Sequence, residues 1–330
     1  MNALFSLVAV VVLMLLALFG TYGAGLQYLF GVIIPYIAIV TFLVGFVLRV
    51  VRWARSPVPF RIPTTCGQQK SLPWIKHHEL ENPSNGFSAF LRMALEILFF
   101  RSLFRNTKAD LKSGPKLVYG SNKWLWLGGL VFHWSLLVVF IRHFRFFTEP
   151  VPFGINLLEE LDSFFQVGLP IIYITDILLL GALTYLVGRR LLDARLRYIS
   201  LNADYFPLFL ILGIGCTGAW MRYFAKVDIV GVKQLSLGLF NLHPVVPEGI
   251  GAFFYIHLFL VSVLIAYFPF SKLMHMGGIF LSPTRNLANN NRVKRHVNPW
   301  NPVVKIHTYE EYEDEFREVM KEAGMPLEKE

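Results

Sequence analysis

Residues 124–147 read WLWLGGLVFHWSLLVVFIRHFRFF. The stretch contains no acid, and its ionisable groups are His133, Arg142, His143 and Arg145. About twenty consecutive apolar residues are what a helix needs to cross a bilayer. The apolar residues fill the whole circumference instead of recurring along one stripe, as expected of a helix surrounded by lipid and neighbouring helices. A polar group inside such a helix is costly to keep and marks a functional position. The stretch therefore decides the fold class, and it raises the question of what His133 and His143 do.

Working outward, five more apolar runs of similar length occupy residues 3–20, 26–53, 164–187, 205–223 and 251–270. The first lacks a basic leader and is followed at once by the second, so it reads as a retained helix and not as a cleaved signal. The expected fold is an all-α integral membrane protein of about six transmembrane helices. Only 16% of the 330 residues are charged, against roughly 25% in soluble domains. The chain divides into two amino-terminal helices (1–53), a basic loop (54–123), a four-helix membrane domain (124–276) and a polar tail (277–330).

The formal net charge of +9 is concentrated in two loops beside spans, one before residue 124 and one carrying Arg189, Arg190, Arg195 and Arg197. Loops 148–163 and 224–250 are poor in Lys and Arg. The positive-inside rule explains this asymmetry better than a nucleic-acid partner does, and it places both termini in the cytoplasm of a multi-pass protein of the cell membrane. Within the basic loop, residues 86–106 pattern as an amphipathic helix for the membrane surface or for a partner. In the tail, 309–320 forms a short helix and the rest a docking arm or disordered chain. The two cysteines, Cys66 and Cys216, form no disulfide, zinc or iron–sulfur spacing, and the absence of C-x-x-C-H excludes covalently attached haem.

Of nine histidines, four lie on the third and sixth runs: His133, His143, His257 and His275. Ten residues separate the first pair, about 15 Å of helix, and eighteen separate the second, which returns to the same helix face. The two helices run in opposite directions. His143 therefore meets His257 on the outer side and His133 meets His275 on the cytoplasmic side, the arrangement that bis-histidine ligation of two stacked b haems requires. Eighteen residues rise further than ten, and His275 lies past Lys272 at the rim, so the inner pair needs a bent or tilted sixth helix, with Pro269 the expected place for a bend. Gly128, Gly129, Gly213, Gly215 and Gly218 either admit a bulky ring or let helices approach.

The run Phe132-His133-Trp134, the second histidine ten positions on and the pair eighteen apart resemble the cytochrome b subunit of respiratory nitrate reductase, the NarI-like family, over residues 124–276. The added amino-terminal span, basic loop and tail are similar to a narrower branch, the DsrM-type cytochromes b of the DsrMKJOP complex of sulfate and sulfur metabolism. The membrane subunit of heterodisulfide reductase is a near neighbour. The resemblance implies a NarI-like dihaem bundle with two haem b, the four histidines binding haem iron. It implies menaquinol oxidation near the outer haem and electron transfer to a cytoplasmic iron–sulfur, DsrK-like subunit.

Further candidates follow from charge. Arg142, Arg145 and Arg222 suit the propionates of an outer haem, Lys123 and Lys272 those of an inner one, or each snorkels at the interface. Asp162 and Gln166 are candidate quinone partners or capping groups, and Asp176 a proton relay or a hydrogen-bonded helix partner. Two other functional classes fit parts of the pattern: a non-haem transporter relaying protons through His and Asp, and an anchor without haem. A quinone-linked cytochrome b of a heterodisulfide or nitrate reductase differs from the sulfur-metabolism reading only in its soluble partner.

Overall fold

The structure, a computed structural model, describes every residue except 57–66, 106, 115, 166–169, 283–285, 294–305 and 330. Cys66 and Gln166 therefore lie outside the described residues. In chain order the helices are α1 (Asn2–Leu18), α2 (Ile34–Ala54), α3 (Gly86–Phe99), α4 (Arg101–Arg105), α5 (Lys123–His143), α6 (Phe153–Asp162), α7 (Ile174–Leu192), α8 (Ala194–Ile199), α9 (Asn202–Trp220), α10 (Ile229–Phe240), α11 (Ala252–Tyr267), α12 (His275–Leu281) and α13 (Tyr309–Glu322). Two small antiparallel pairs accompany them, β1 (Thr107–Lys112) with β2 (Lys116–Ser121) and β3 (Ser163–Phe165) with β4 (Ile172–Tyr173).

The chain forms two compact units. One comprises residues 1–56 and 90–282, and the other 57–89 and 283–330. Among the described residues of the first unit, five helical stretches are long and apolar enough to cross a membrane: Asn2–Gly23, Leu29–Ala54, Lys123–Phe146, Asn202–Ala225 and Ala252–Phe270. These are five of the six expected spans. The remaining one differs in place and composition. Its helix, α7, starts at Ile174, ten residues later than expected, because Ser163–Phe165 pairs as a strand with Ile172–Tyr173. It carries Asp176 near one end and Arg189 and Arg190 at the other, which shortens its uncharged stretch. It nonetheless packs between α5 and α9.

Close helix contacts rest on small residues. α1 lies against α9 and α11 with Ser6, Val10 and Ala17 buried along one face. A Cβ at Gly213 would meet Val10 and Leu260 at 3.4 and 3.5 Å, one at Gly215 would meet Leu180 at 3.0 Å, and one at Gly128 would overlap the Tyr185 ring at 2.6 Å. The glycines at 128, 213 and 215 thus serve helix approach. The core around Leu210, Leu235 and Leu260 joins α1, α9, α10 and α11.

α11 does not run on to His275. It tightens into a 3-10 turn, Phe268–Phe270, with Pro269 in it, and the chain becomes extended at Ser271 (φ −112°, ψ 178°). The Ser271 side chain then accepts a hydrogen bond from the Leu273 N–H and opens a second turn, Lys272–Met274, from which α12 begins at His275. Proline removes a helix donor and forces such a break. A Cβ at Gly45 of α2 would come within 2.9 Å of Pro269, so α2 packs tightly on the break.

The expected helix over 86–106 is found as α3 and α4, interrupted at Phe100, whose φ of +50° lies in the left-handed region. The β1–β2 hairpin was not anticipated, because its residues bury no alternating face and β2 is exposed throughout. An ion pair of Asp110 with Arg195 at 2.8 Å ties the hairpin to α8 and holds the Asp110 carboxyl below its ordinary value. Exposed as it is, the pair adds little stability. In the second unit α13 extends two residues past the expected helix. Thr308 caps it reciprocally with Glu311, and the buried Glu313 carboxylate accepts the backbone N–H groups of Glu328 and Lys329.

Candidate functional site

The four histidines of the two helices meet in two pairs. The rings of His143, in the last turn of α5, and His257 of α11 lie with centroids 6.3 Å apart and planes inclined by 12°. The rings of His133 and His275 lie 6.0 Å apart and nearly perpendicular, at 85°. The break at Ser271 reconciles the unequal spacings: it redirects the chain so that His275, eighteen residues from His257, still reaches the partner ten residues from His143.

In every ring one nitrogen is already engaged. His133 Nδ1 lies 2.7 Å from the Gly129 carbonyl, His143 Nδ1 2.7 Å from the Val139 carbonyl and His275 Nδ1 2.8 Å from the Lys272 carbonyl. His257 Nδ1 lies 3.0 Å from Thr217 Oγ1. The Thr217 hydroxyl itself donates toward the Gly213 and Ile214 carbonyls at 2.8 and 3.0 Å, so it is placed to accept from His257. A carbonyl or hydroxyl acceptor fixes the tautomer with hydrogen on Nδ1 and leaves Nε2 as the lone-pair donor, which is how metal-binding imidazoles are oriented. Gly218 makes room for the ring, since a Cβ there would lie 3.2 Å from His257 Cε1.

A b haem is the group these residues must be tested against. Metal–imidazole bonds are about 2 Å long, so two rings bonded through Nε2 on opposite sides of one iron have centroids roughly 6 Å apart. Both pairs have that separation, and the four occupied Nδ1 atoms leave the donor set a haem takes. The residues fit. Among the described residues no cluster of three or more His, Cys, Asp or Glu could hold a metal ion by itself, so a zinc-type site does not compete for them. Aromatic rings flank the inner pair: Phe100 and Phe132 stand edge-on to His133 at 5.0 and 4.8 Å.

The charged candidates form a second, adjoining cluster. Arg142 is buried. Its NH2 lies 2.5 Å from Asp176 Oδ1, and its Nε lies 3.2 Å from Asp162 Oδ2, without hydrogen-bond alignment there. Asp162, also buried, accepts from the Thr175 N–H at 2.9 Å and its hydroxyl at 2.6 Å, and so caps the start of α7. Tyr223 donates to Asp176 at 2.8 Å. The guanidiniums of Arg142 and Arg222 stand 3.7 and 4.1 Å from the centre of the Tyr173 ring. In the fold, Arg142 is ion-paired with two acids, Asp162 caps α7 and pairs with Arg142, and Asp176 is hydrogen-bonded across helices.

Of the other cations, Arg145 pairs with Glu159 through both carboxylate oxygens at 2.9 and 3.0 Å. Lys272 pairs with Asp204 at 2.6 Å, and Lys123 sits over the Phe104 ring. Arg222 donates to the Ile171 carbonyl at 3.0 Å, while its buried Nε has no hydrogen-bond partner among the described residues. The role of Thr217 had no sequence signal, because a lone threonine in an apolar span usually bonds back to its own helix.

A multi-pass membrane bundle that pairs histidines from two antiparallel helices at two levels is the class that fold and site define. The chain belongs to the nitrate reductase gamma subunit family, whose profile matches residues 90–296. It is 48% identical over 281 residues to the Hdr-like menaquinol oxidoreductase cytochrome b-like subunit of Archaeoglobus fulgidus, covering 83% of this chain and 84% of that one. The protein of the same name from Archaeoglobus profundus is 44% identical over 276 residues, 82% of each chain.

Proposed function

We propose that this chain is the dihaem cytochrome b of a menaquinol-oxidising complex. His143 and His257 hold the outer haem, and His133 and His275 hold the inner one. The reading is carried by one observation, the two histidine pairs at the separation iron requires, each ring with Nδ1 already engaged. Family membership and the printed names of the relatives support it. Haems held by these residues would supply one-electron carriers suited to the two-electron oxidation of a quinol.

The chain lies in the cytoplasmic membrane with both termini inside, and residues 124–276 form the haem-binding domain. Lipid surrounds the spans, and other subunits complete the complex. Menaquinol gives up its protons on the outer side, near His143. The arginine cluster beside that residue keeps α5, α6, α7 and α9 in register around the outer pair, and Arg222, with a spare buried N–H, is the cation for a propionate. The electron acceptor is a cytoplasmic iron–sulfur subunit of the heterodisulfide-reductase type, in sulfite or sulfur metabolism.

A menaquinol analogue added to the anaerobic purified protein is expected to reduce a b-type absorbance band without dithionite. A band that responds only to dithionite would remove the quinol from the account. No band at all would remove the haem.

A further inference from the structure

α3 is built inside out for a helix in water. Its charged residues are the buried ones: Arg92 is 4% and Glu96 6% exposed. Several of its large apolar residues are exposed instead, with Phe87 at 75%, Phe90 at 67%, Leu98 at 41% and Phe99 at 54%. At 100° per residue, Phe87, Phe90 and Leu98 fall on one face, and Arg92 and Glu96 on the opposite face. Glu96 is satisfied where it is, since its carboxylate accepts from the N–H of Ser102 at 3.1 Å and from the Ser102 hydroxyl. The inversion is therefore a property of the folded helix and not of a misplaced charge.

The carboxyl-terminal end of α3 is fastened to a membrane span. Trp126 Nε1 donates to the Phe99 carbonyl at 2.6 Å, and Trp134 Nε1 donates to the Leu98 carbonyl at 2.9 Å. Both tryptophans belong to α5, three and eleven residues from its first residue. At 1.5 Å per residue the attachment reaches from near the end of that span to about 16 Å along it. Helix carbonyls left over at a C-terminus need donors, and at bilayer depth water does not supply them. Indole N–H groups do so here.

We propose that the Phe87–Phe90–Leu98 face of α3 contacts lipid acyl chains, making α3 an interfacial helix embedded beside α5. Arg101 and Arg105 follow in α4, at the carboxyl-terminal end of α3. The same helix end carries Phe100, whose ring stands against His133. The lipid-facing helix and the inner histidine pair are thus joined through one residue.

Site-directed spin labelling tests this. Full-length protein carrying Phe90→Cys or Leu98→Cys, with Cys66→Ser and Cys216→Ser, is labelled with a nitroxide and placed in nanodiscs of phosphatidylcholine and phosphatidylglycerol. Val319→Cys, on the exposed surface of α13, serves as the reference. At positions 90 and 98 apolar oxygen is expected to relax the label more than a water-soluble nickel chelate, and at position 319 the order reverses. A nickel-dominated signal at position 90 would show the face in water and overturn the proposal. Protection from both agents would show it covered by protein, which overturns it equally. Phe87→Cys gives the same reading if the Phe90 variant does not fold.

Discussion

His257→Ala is expected to halve the haem content of the purified protein and to leave a b-type spectrum of altered shape. On the proposed ligation the substitution removes one of the two nitrogens of the outer pair, while His133 and His275, 6.0 Å apart in a separate pair, keep their own. His143→Ala is expected to give the same loss from the other side. A milder lesion at the same place is Thr217→Val, which conserves shape and removes the oxygen 3.0 Å from His257 Nδ1. Loss of the partner that orients a metal-bound imidazole typically costs about 10–100-fold in affinity. Thr217→Val therefore retains haem at purification and releases it faster in a transfer assay to apomyoglobin. Unchanged haem content in both histidine variants would remove the outer pair from the account, and an unchanged release rate would remove Thr217.

The second large effect is expected at Arg142. Arg142→Met is close in length and leaves Asp162 and Asp176 as two buried carboxylates without their cation. Removing one partner of a buried ion pair costs about 3–5 kcal/mol, because the remaining charge stays desolvated. The residual hydrogen bonds from Thr175 and Tyr223 offset only part of this. The variant should unfold at a distinctly lower temperature in detergent than the parent. Arg142→Met with Asp162→Asn and Asp176→Asn should recover much of the loss, since neutral amides keep hydrogen-bonding capacity without the charge. Equal stability of parent and single variant would mean that the arginine is hydrated and its ion pairs are surface-like.

What could be read in advance divides along physical lines. The spans were legible because lipid demands about twenty apolar residues in an unbroken run, and His133, His143, His257 and His275 stood out against that background. The need for a bent or tilted sixth helix was legible from arithmetic, with Pro269 the candidate place for a bend: ten residues and eighteen do not span one distance on two straight, parallel-lying helices. That the bend is an extended residue at Ser271 with its own hydroxyl cap was not, because serine caps and serine packing look alike in sequence. The glycines sorted themselves only in three dimensions, Gly218 against the His257 ring and Gly128, Gly213 and Gly215 against other helices.

The charged residues show the opposite limit. Arg142, Asp162 and Asp176 were visible singly as costly groups. Their mutual satisfaction depends on partners 34 and 47 positions apart in the chain. Burial of a charge says that a partner exists, and only the fold says which. The start of α7 was misplaced because residues 164–173 are apolar enough for a span, yet part of that segment pairs as strands β3 and β4. The inverted surface of α3 likewise appears only when burial is known, since an amphipathic pattern does not say which face is turned inward.

The most direct measurement of the central claim is the haem-to-protein ratio of the purified full-length chain, determined as the pyridine haemochrome against quantitative amino-acid analysis. Four histidines in two iron-spaced pairs predict two b-type haems per chain. A ratio of one would contradict the inner or the outer pairing, and a ratio of zero would contradict the haem reading as a whole.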